Sequence, residues 1–237
     1  MEFSVDDLQN AADEMELIPL VKRTVQTYGA DWFVFVTLHP SDYSDSRSTY
    51  RFLIGCRPEW CQLYNANRWY LTDPCLEYAR SNTAPVLGSA LPVQTAGQRR
   101  MLVVAAEYGF RSFYIVPVHT SERGRIGILY LGSEQAPEQM EPRFHDARPF
   151  YRALAMELLD WSSGAVREEA LQTTGLTHEE LRILRLVKAG FTATDIAAEL
   201  KVSSMTVYRQ FQRINEKLGV ARITAAVKFA DEHDLLA

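Results

Sequence analysis

Thr192-Ala193-Thr194-Asp195-Ile196-Ala197-Ala198-Glu199-Leu200, then Lys201-Val202, then Ser203-Ser204-Met205-Thr206-Val207-Tyr208-Arg209-Gln210-Phe211-Gln212-Arg213-Ile214-Asn215-Glu216-Lys217-Leu218, decides the fold of the C-terminal region. Thr192 and Asp195 stand three apart, as a reciprocal capping pair requires. Ile196, Ala197 and Leu200 then share one helical face. Lys201-Val202 makes a tight turn, and Ser203 or Ser204 caps the next helix. There Val207, Phe211, Ile214 and Leu218 form a buried stripe, and Gly219 follows at the position a helix end favours. The outward face is left with Tyr208, Arg209, Gln212 and Arg213, with Lys217 nearer the end. Two short capped helices about a turn, the second with a basic outer face, spell a helix-turn-helix suited to DNA. Arginine and lysine bind phosphates, and glutamine can address a base edge in two places.

Working outward, Leu176-Thr177-His178-Glu179-Glu180-Leu181 opens a further helix, and Ile223 to Ala230 is helical. In that last stretch Ile223, Ala226, Val227 and Ala230 could pack onto their own domain or join two DNA-binding domains. The formal charge of −5 over 237 residues divides by region. Residues 176–237 carry nine Lys/Arg against eight Asp/Glu, and residues 1–175 a net of −6. A chain with 47% apolar and 23% charged residues builds an ordinary core. Met1 to Asp13 is acidic rather than basic and then apolar, so no signal peptide is expected, and no apolar run is long enough to span a bilayer. The expected compartment is the cytoplasm. Cys56, Cys61 and Cys75 lack paired metal-ligand spacing and read as reduced thiols; the five histidines are scattered. Neither a metal nor a cofactor is expected. Neither a glycine-rich phosphate loop nor a nucleophile elbow occurs, which argues against an enzyme.

Upstream, helices and strands alternate. Val5 to Thr27 reads as helical with a break at Pro19. Trp32 to Leu38 is a buried strand, His39 to Ser46 a polar loop, and Thr49 to Gly55 the next strand. Pro58 opens a helix to about Arg68, and Asp73-Pro74 caps and opens another. Gln94 to Tyr108 is helical. Ser112–Val118 and Arg125–Leu131 are neighbouring antiparallel strands around a turn at Ser121–Gly124. Arg148 to Trp161 closes the domain. The expected fold is α+β: an N-terminal α-β-α sandwich, residues 1–163, with an antiparallel sheet and a ligand cavity. A linker over 164–175 and a small all-α helix-turn-helix domain over 176–237 follow.

The sequence resembles the LuxR family of quorum-sensing transcription regulators along nearly its whole length. Leu176-Thr177, Glu180, Leu184, Gly190, Ile196-Ala197, Leu200, Val202-Ser203, Thr206-Val207, Ile214 and Lys217-Leu218-Gly219-Val220 carry the C-terminal likeness. Trp60, Tyr64, Asp73 and Pro74 match the family's ligand-binding signature. The resemblance implies that the Trp60 indole donates to a lactone carbonyl, that Asp73 accepts from the amide of an N-acyl-homoserine lactone, and that Tyr64 packs along this autoinducer. The chemistry is consistent, since indole is only a donor and an ionised carboxylate only an acceptor. Taken singly, Trp60 and Tyr64 could be a core aromatic pair and Asp73 merely a helix cap.

Four positions depart from the family's pattern. Gly88 stands where the family has a second pocket tryptophan, Phe113 where it has a glycine, Cys56 where it has a tyrosine, and Tyr130 where it has a small hydroxyl residue. These four and Cys75 join the candidate pocket, and Phe113 or Tyr130 is expected to fill space vacated at Gly88. By the same resemblance Tyr208 and Gln212 read bases, while Thr206, Arg209 and Arg213 contact phosphates; Ser204 and Lys217 complete the candidate DNA face. The implied partners are double-stranded promoter DNA, a small-molecule autoinducer, a second copy of the chain as a homodimer, and RNA polymerase. The alternatives are a regulator of the same build answering a non-lactone molecule, one acting without ligand, and a phosphorylation-controlled response regulator. The last needs an acidic cluster on early strand ends, where residues 1–60 have aromatic strands instead.

Overall fold

Alternating apolar residues in the first strands set the sheet, whose two faces each carry a helical layer. A computed structural model describes residues 8–38, 50–120, 125–233 and 235–236, and the chain divides into two compact units, Met1–Trp161 and Ser162–Ala237. The expected loop His39–Ser46, Thr49, the turn Ser121–Gly124 and residues 1–7 lie outside the described residues.

The first unit holds β1 (Trp32–Leu38), β2 (Arg51–Ile54), β3 (Val86–Leu87), β4 (Ser112–His119) and β5 (Ile126–Ser133), in the order β2-β1-β5-β4-β3. Every neighbouring pair is antiparallel. Because side chains alternate along a strand, Phe33 and Phe35 of β1 and Leu129 and Leu131 of β5 face one way. They pack there with α1 (Glu14–Thr27), α5 (Pro137–Asp146) and α6 (Arg148–Thr174) through Val21, Val25, Phe144, Tyr151 and Leu158. Val36, Leu38, Ile115 and Ile128 face the other way, against Cys75, Leu76 and Ala79 of α3 (Pro74–Ser81). Beside them α2 (Pro58–Ala66) and α4 (Ala96–Glu107) bring Trp60, Met101 and Ala105 together. The result is an α-β-α sandwich.

Three local expectations are corrected. Pro19 does not break α1, which runs through it. Pro19 and Met15 both stand exposed, so the Met15 carbonyl left without a proline N–H faces water. The closing helix does not stop at Trp161: α6 continues to Thr174, so most of the linker read over 164–175 is helix. A glycine within a helix costs about 1 kcal/mol, and buried Val166 and Ala170, one turn apart, offset Gly164. The true stop is Gly175, at φ +61°. Finally, α5 and β3 have no counterpart in the sequence reading; the two prolines of α5, at 137 and 142, disguise it.

The second unit is helical: α7 (His178–Lys188), α8 (Ala193–Leu200), α9 (Ser204–Leu218) and α10 (Ile223–Glu232). Thr177 and Glu180 form a capping box on α7, and Thr192 and Asp195 another on α8. Lys201 turns the chain at φ +56°, and Ser203, rather than Ser204, caps α9. Val207 and Ile214 pack with Leu181, Leu184 and Ile196. Ala226 and Ala230 of α10 are fully buried in this same core.

One ion pair ties α7 to α9. The Glu180 side chain is 3% exposed; its Oε2 accepts from Lys217 Nζ at 2.7 Å, and Arg213 Nε lies 3.5 Å from Oε1. Lys217 also donates to the Gly175 carbonyl at 2.7 Å. Burial would raise the Glu180 pKa, but the Lys217 ammonium and Thr177 together hold it below the ordinary glutamate range. Removing one partner of such a pair strands a buried charge. Lys217→Met should therefore destabilise the second unit by about 2 kcal/mol, reduced from the fully buried case because Lys217 keeps some solvent contact. Hydrogen exchange of α7 and α9 amides in the full chain measures it. Since the folded-state pKa is depressed, the contribution is complete above the ordinary glutamate range and drains as pH falls through the lower folded value. The difference between wild type and variant should shrink on that acid side; a difference independent of pH would refute the assignment.

Candidate functional site

The second face of the sheet does not close completely against α2, α3 and α4. Between them lies a cavity with about 860 Å³ of empty space, counting the open solvent at its mouth. Its lining is largely apolar, including Val34, Val36, Met101, Ala105, Phe110 and Phe113. Polar chemistry concentrates at one place.

That place is Asp73, 3% exposed. Its backbone precedes Pro74, so it is the N-cap of α3, and Oδ1 accepts from the Cys75 amide at 2.7 Å. Oδ2 turns to the tyrosines: it accepts from the Tyr64 hydroxyl at 2.8 Å and the Tyr130 hydroxyl at 3.4 Å. Helix α2, helix α3 and strand β5 thus converge on one carboxylate. Burial raises the Asp73 pKa, and the bonds from Tyr64 and Cys75 offset only part of that rise. Burial first, and then the Asp73 charge, hold Tyr64 and Tyr130 well above the usual phenol range, so both hydroxyls stay protonated. Trp60 stands one turn before Tyr64 on α2. Its ring lies 5.5 Å from Trp69, 5.8 Å from Tyr64 and 6.0 Å from both Tyr108 and Phe110, centroid to centroid. The two alternatives drawn from the sequence therefore coexist: Asp73 is a helix cap and a cavity wall, and Trp60 with Tyr64 is a core pair and a cavity wall.

Trp60, Tyr64, Asp73, Cys75, Phe113 and Tyr130 all line the cavity. Cys56 and Gly88 do not. Cys56 sits behind the wall with its sulfur 3.5 Å from that of Cys61, and Cys61 is the lining residue. Gly88 is covered by Phe113, since a Cβ built on Gly88 would meet the Phe113 ring at 2.8 Å. Sequence reasoning missed Met101 and Ala105 of α4, together with Phe110 and Tyr70. The spacing of Met101 and Ala105 marks an inward face, but nothing in it distinguishes a cavity wall from core.

On α9, Thr206, Tyr208, Arg209, Gln212 and Arg213 are exposed, and Ser204 is half-buried. Lys217 is corrected: it is half-buried and engaged with Glu180 and Gly175, so it braces the unit instead of joining the outer face. Met205, 65% exposed at the start of the helix, was missed because its apolar side chain reads as core. Ala226 and Ala230, open between two roles in the sequence, serve their own core. Among the described residues no helix is long and apolar enough to cross a membrane.

Comparison with known proteins agrees with both units. The autoinducer binding domain family matches residues 13–160, and the family of bacterial regulatory proteins of the luxR type matches residues 174–230. The transcriptional activator protein AhyR of Aeromonas hydrophila is 24% identical over 231 residues, covering 91% of this chain and 84% of its own length. The transcriptional activator protein PhzR of Pseudomonas fluorescens is 24% identical over 182 residues, covering 76% and 73%. The crystal structure of Escherichia coli SdiA has a TM-score of 0.68 at 18% identity, over 97% of this chain and 94% of that one. SdiA in complex with octanoyl-rac-glycerol also gives 0.68, at 17% identity over 100% and 98%. The chain belongs to the LuxR family of bacterial regulatory proteins, with an autoinducer binding domain ahead of its helix-turn-helix; the family is one of regulators, not enzymes.

The close approach of Gly88 and Phe113 gives a direct test. Gly88→Ala should destabilise the wild-type chain by about 1–3 kcal/mol through overpacking. In a Phe113→Ala background most of that cost should vanish. Urea unfolding of the two single variants and the double variant measures the coupling; additive costs would mean that the Phe113 ring does not occupy this space.

Proposed function

We propose that this LuxR-family chain is a ligand-responsive, DNA-binding regulator of quorum sensing, whose cavity takes an N-acyl-homoserine-lactone-like signal. The observation that carries the reading is the buried Asp73 carboxylate in an otherwise apolar cavity, with its pKa still raised. A ligand amide N–H would add a further donor to Asp73, and a lactone carbonyl is an acceptor for the donor-only indole of Trp60. The acyl chain suits Met101, Ala105, Phe110 and Phe113. Each such bond left unmade in a dry site costs about 1–3 kcal/mol, so the pair also selects its ligand.

A second reading has its own support. SdiA, of the same fold, is known in complex with octanoyl-rac-glycerol, and glycerol hydroxyls could likewise donate to Asp73. Phe113 and Tyr130 narrow the cavity relative to the family's usual small residues, which favours a different head group. That signal would make the chain a non-lactone regulator of the same build.

For output, α9 presents Tyr208 and Gln212 to base edges and Arg209 and Arg213 to phosphates, with Thr206 beside them and Ser204 at the helix start. One such helix spans one half-site, so a homodimer on twofold-symmetric promoter DNA is the economical arrangement. RNA polymerase is the partner through which promoter binding would act. The setting is cytoplasmic.

The ligand reading is tested by thermal shift of the full chain with N-acyl-homoserine lactones of graded length and with 1-octanoyl-rac-glycerol. A lactone should raise Tm by several degrees. Asp73→Asn keeps a good helix cap, so Tm without ligand should move by no more than a few degrees, while the lactone-induced shift falls by at least half. If no lactone shifts the wild type and the acylglycerol does, the second reading replaces the first. For the DNA face, Arg209→Ala should weaken binding to all sequences and lower the salt slope by about one, whereas Gln212→Ala should relax discrimination at one base pair. Identical sequence preference in Gln212→Ala would remove that residue from base reading.

A further inference from the structure

Helix starts bring two particular side chains together. The residue before the N-cap and the fourth residue of the helix pack on each other, normally as an apolar staple. In α2 the N-cap is Arg57 and the first residue Pro58, so the staple positions are Cys56 and Cys61. Both are cysteines, and their sulfurs stand 3.5 Å apart. Cys56 is buried, while Cys61 is half-buried and lines the cavity. Trp60 lies between them in sequence and also lines that cavity.

We propose that Cys56 and Cys61 form a redox-modification site in the cavity wall, which peroxides oxidise to a disulfide tying the segment before α2 to its first turn. The staple supplies what a disulfide needs from the backbone, since the two side chains already point at each other. The sulfurs need close only to about 2.05 Å. Cys61 is the residue a small peroxide can reach. A hydrogen bond joins the two sulfurs; it lowers the Cys61 pKa and, together with burial, raises that of Cys56. Cys61, exposed to the cavity, is therefore the attacking sulfur, and its thiolate form is the nucleophile. Its sulfur displaces one peroxide oxygen, giving a sulfenic acid and one water. The Cys56 sulfur then attacks Cys61 sulfur, the S–O bond breaks, and the departing hydroxide takes the Cys56 proton as a second water. Two thiols and one hydrogen peroxide become one disulfide and two waters, with two electrons passing from sulfur to peroxide.

Cys75 is the internal comparison. It too lines the cavity, but burial and the neighbouring Asp73 charge hold its thiol well above the usual range, so it stays out of this chemistry. Oxidation would also change the ligand site, because the Cys61 sulfur is drawn from the cavity wall toward Cys56.

The test uses the full chain, reduced, desalted and treated briefly with excess hydrogen peroxide. Trypsin leaves residues 52–68 as one peptide, since Arg57 precedes Pro58. In the wild type that peptide should lose two hydrogens in mass, become at least tenfold less reactive to alkylation, and recover both with dithiothreitol. Cys56→Ser, and equally Cys56→Ala, should instead leave a sulfenic acid on Cys61 that dimedone traps. Cys75→Ser should behave as the wild type does. A wild-type peptide that only gains oxygen, a bridge to Cys75, or a bridge between two chains would each overturn the proposal.

Discussion

A carboxylate placed inside an apolar cavity is the constraint around which the first unit is arranged. Taking an ionised carboxylate out of water costs several kcal/mol unless donors replace the lost hydration. Asp73 finds them from three elements: the first-turn amide of its own helix, whose dipole also favours negative charge, the Tyr64 hydroxyl of α2 and the Tyr130 hydroxyl of β5. Those bonds fix where α2 and α3 sit over the sheet. They do not fully compensate, because the Asp73 pKa remains raised. A buried acceptor that would gain from one further donor is what the proposed ligand reading rests on.

The same geometry explains what the sequence disclosed and what it concealed. Caps and stripes are local, so Thr192 with Asp195, Asp73 before Pro74, and the Val207–Ile214 stripe were all readable in advance. Tertiary overrides were not. Nothing local says that Pro19 faces solvent and leaves α1 intact, or that Val166 and Ala170 gain enough burial to carry α6 past Gly164. Lys217 is the instructive case among the site residues. On a helical wheel it joins the basic outer face, yet its partner Glu180 lies 37 residues away in sequence. Gly88 and Phe113 behave alike: their exchange of volume is legible as a pair of departures, but which side chain occupies the gap needs coordinates.

Helix α9 shows how one element divides its circumference. Val207 and Ile214 turn inward to the core of the second unit. Lys217 turns toward Glu180 and locks α9 against α7, while Arg213 only reaches toward the same carboxylate at 3.5 Å and stays exposed. Thr206, Tyr208, Arg209, Gln212 and Arg213 remain for solvent. The outer face is therefore less basic than the sequence suggests by one residue, Lys217, and aromatic Tyr208 and apolar Met205 stand exposed beside its arginines and glutamine. On the proposed DNA-binding reading, such a face would add apolar contacts to charge, and an apolar side chain in the major groove distinguishes thymine by its methyl group.

The cavity also divides the packing of its own layer. Two clusters of buried residues share the second face, one built on α3 with Val36 and Ile128, the other on α2 and α4 with Trp60 and Met101. Val34 and Phe113 border both. A ligand lying among these residues would join the two clusters into one, and it does so only in the folded state. By mass action a ligand at 100 times its Kd stabilises the state it binds by about 2.7 kcal/mol, a large share of what holds an ordinary domain together. Occupancy would thus act on the population of folded first unit before any change of shape is required, and a regulator built this way reads signal concentration through its own stability.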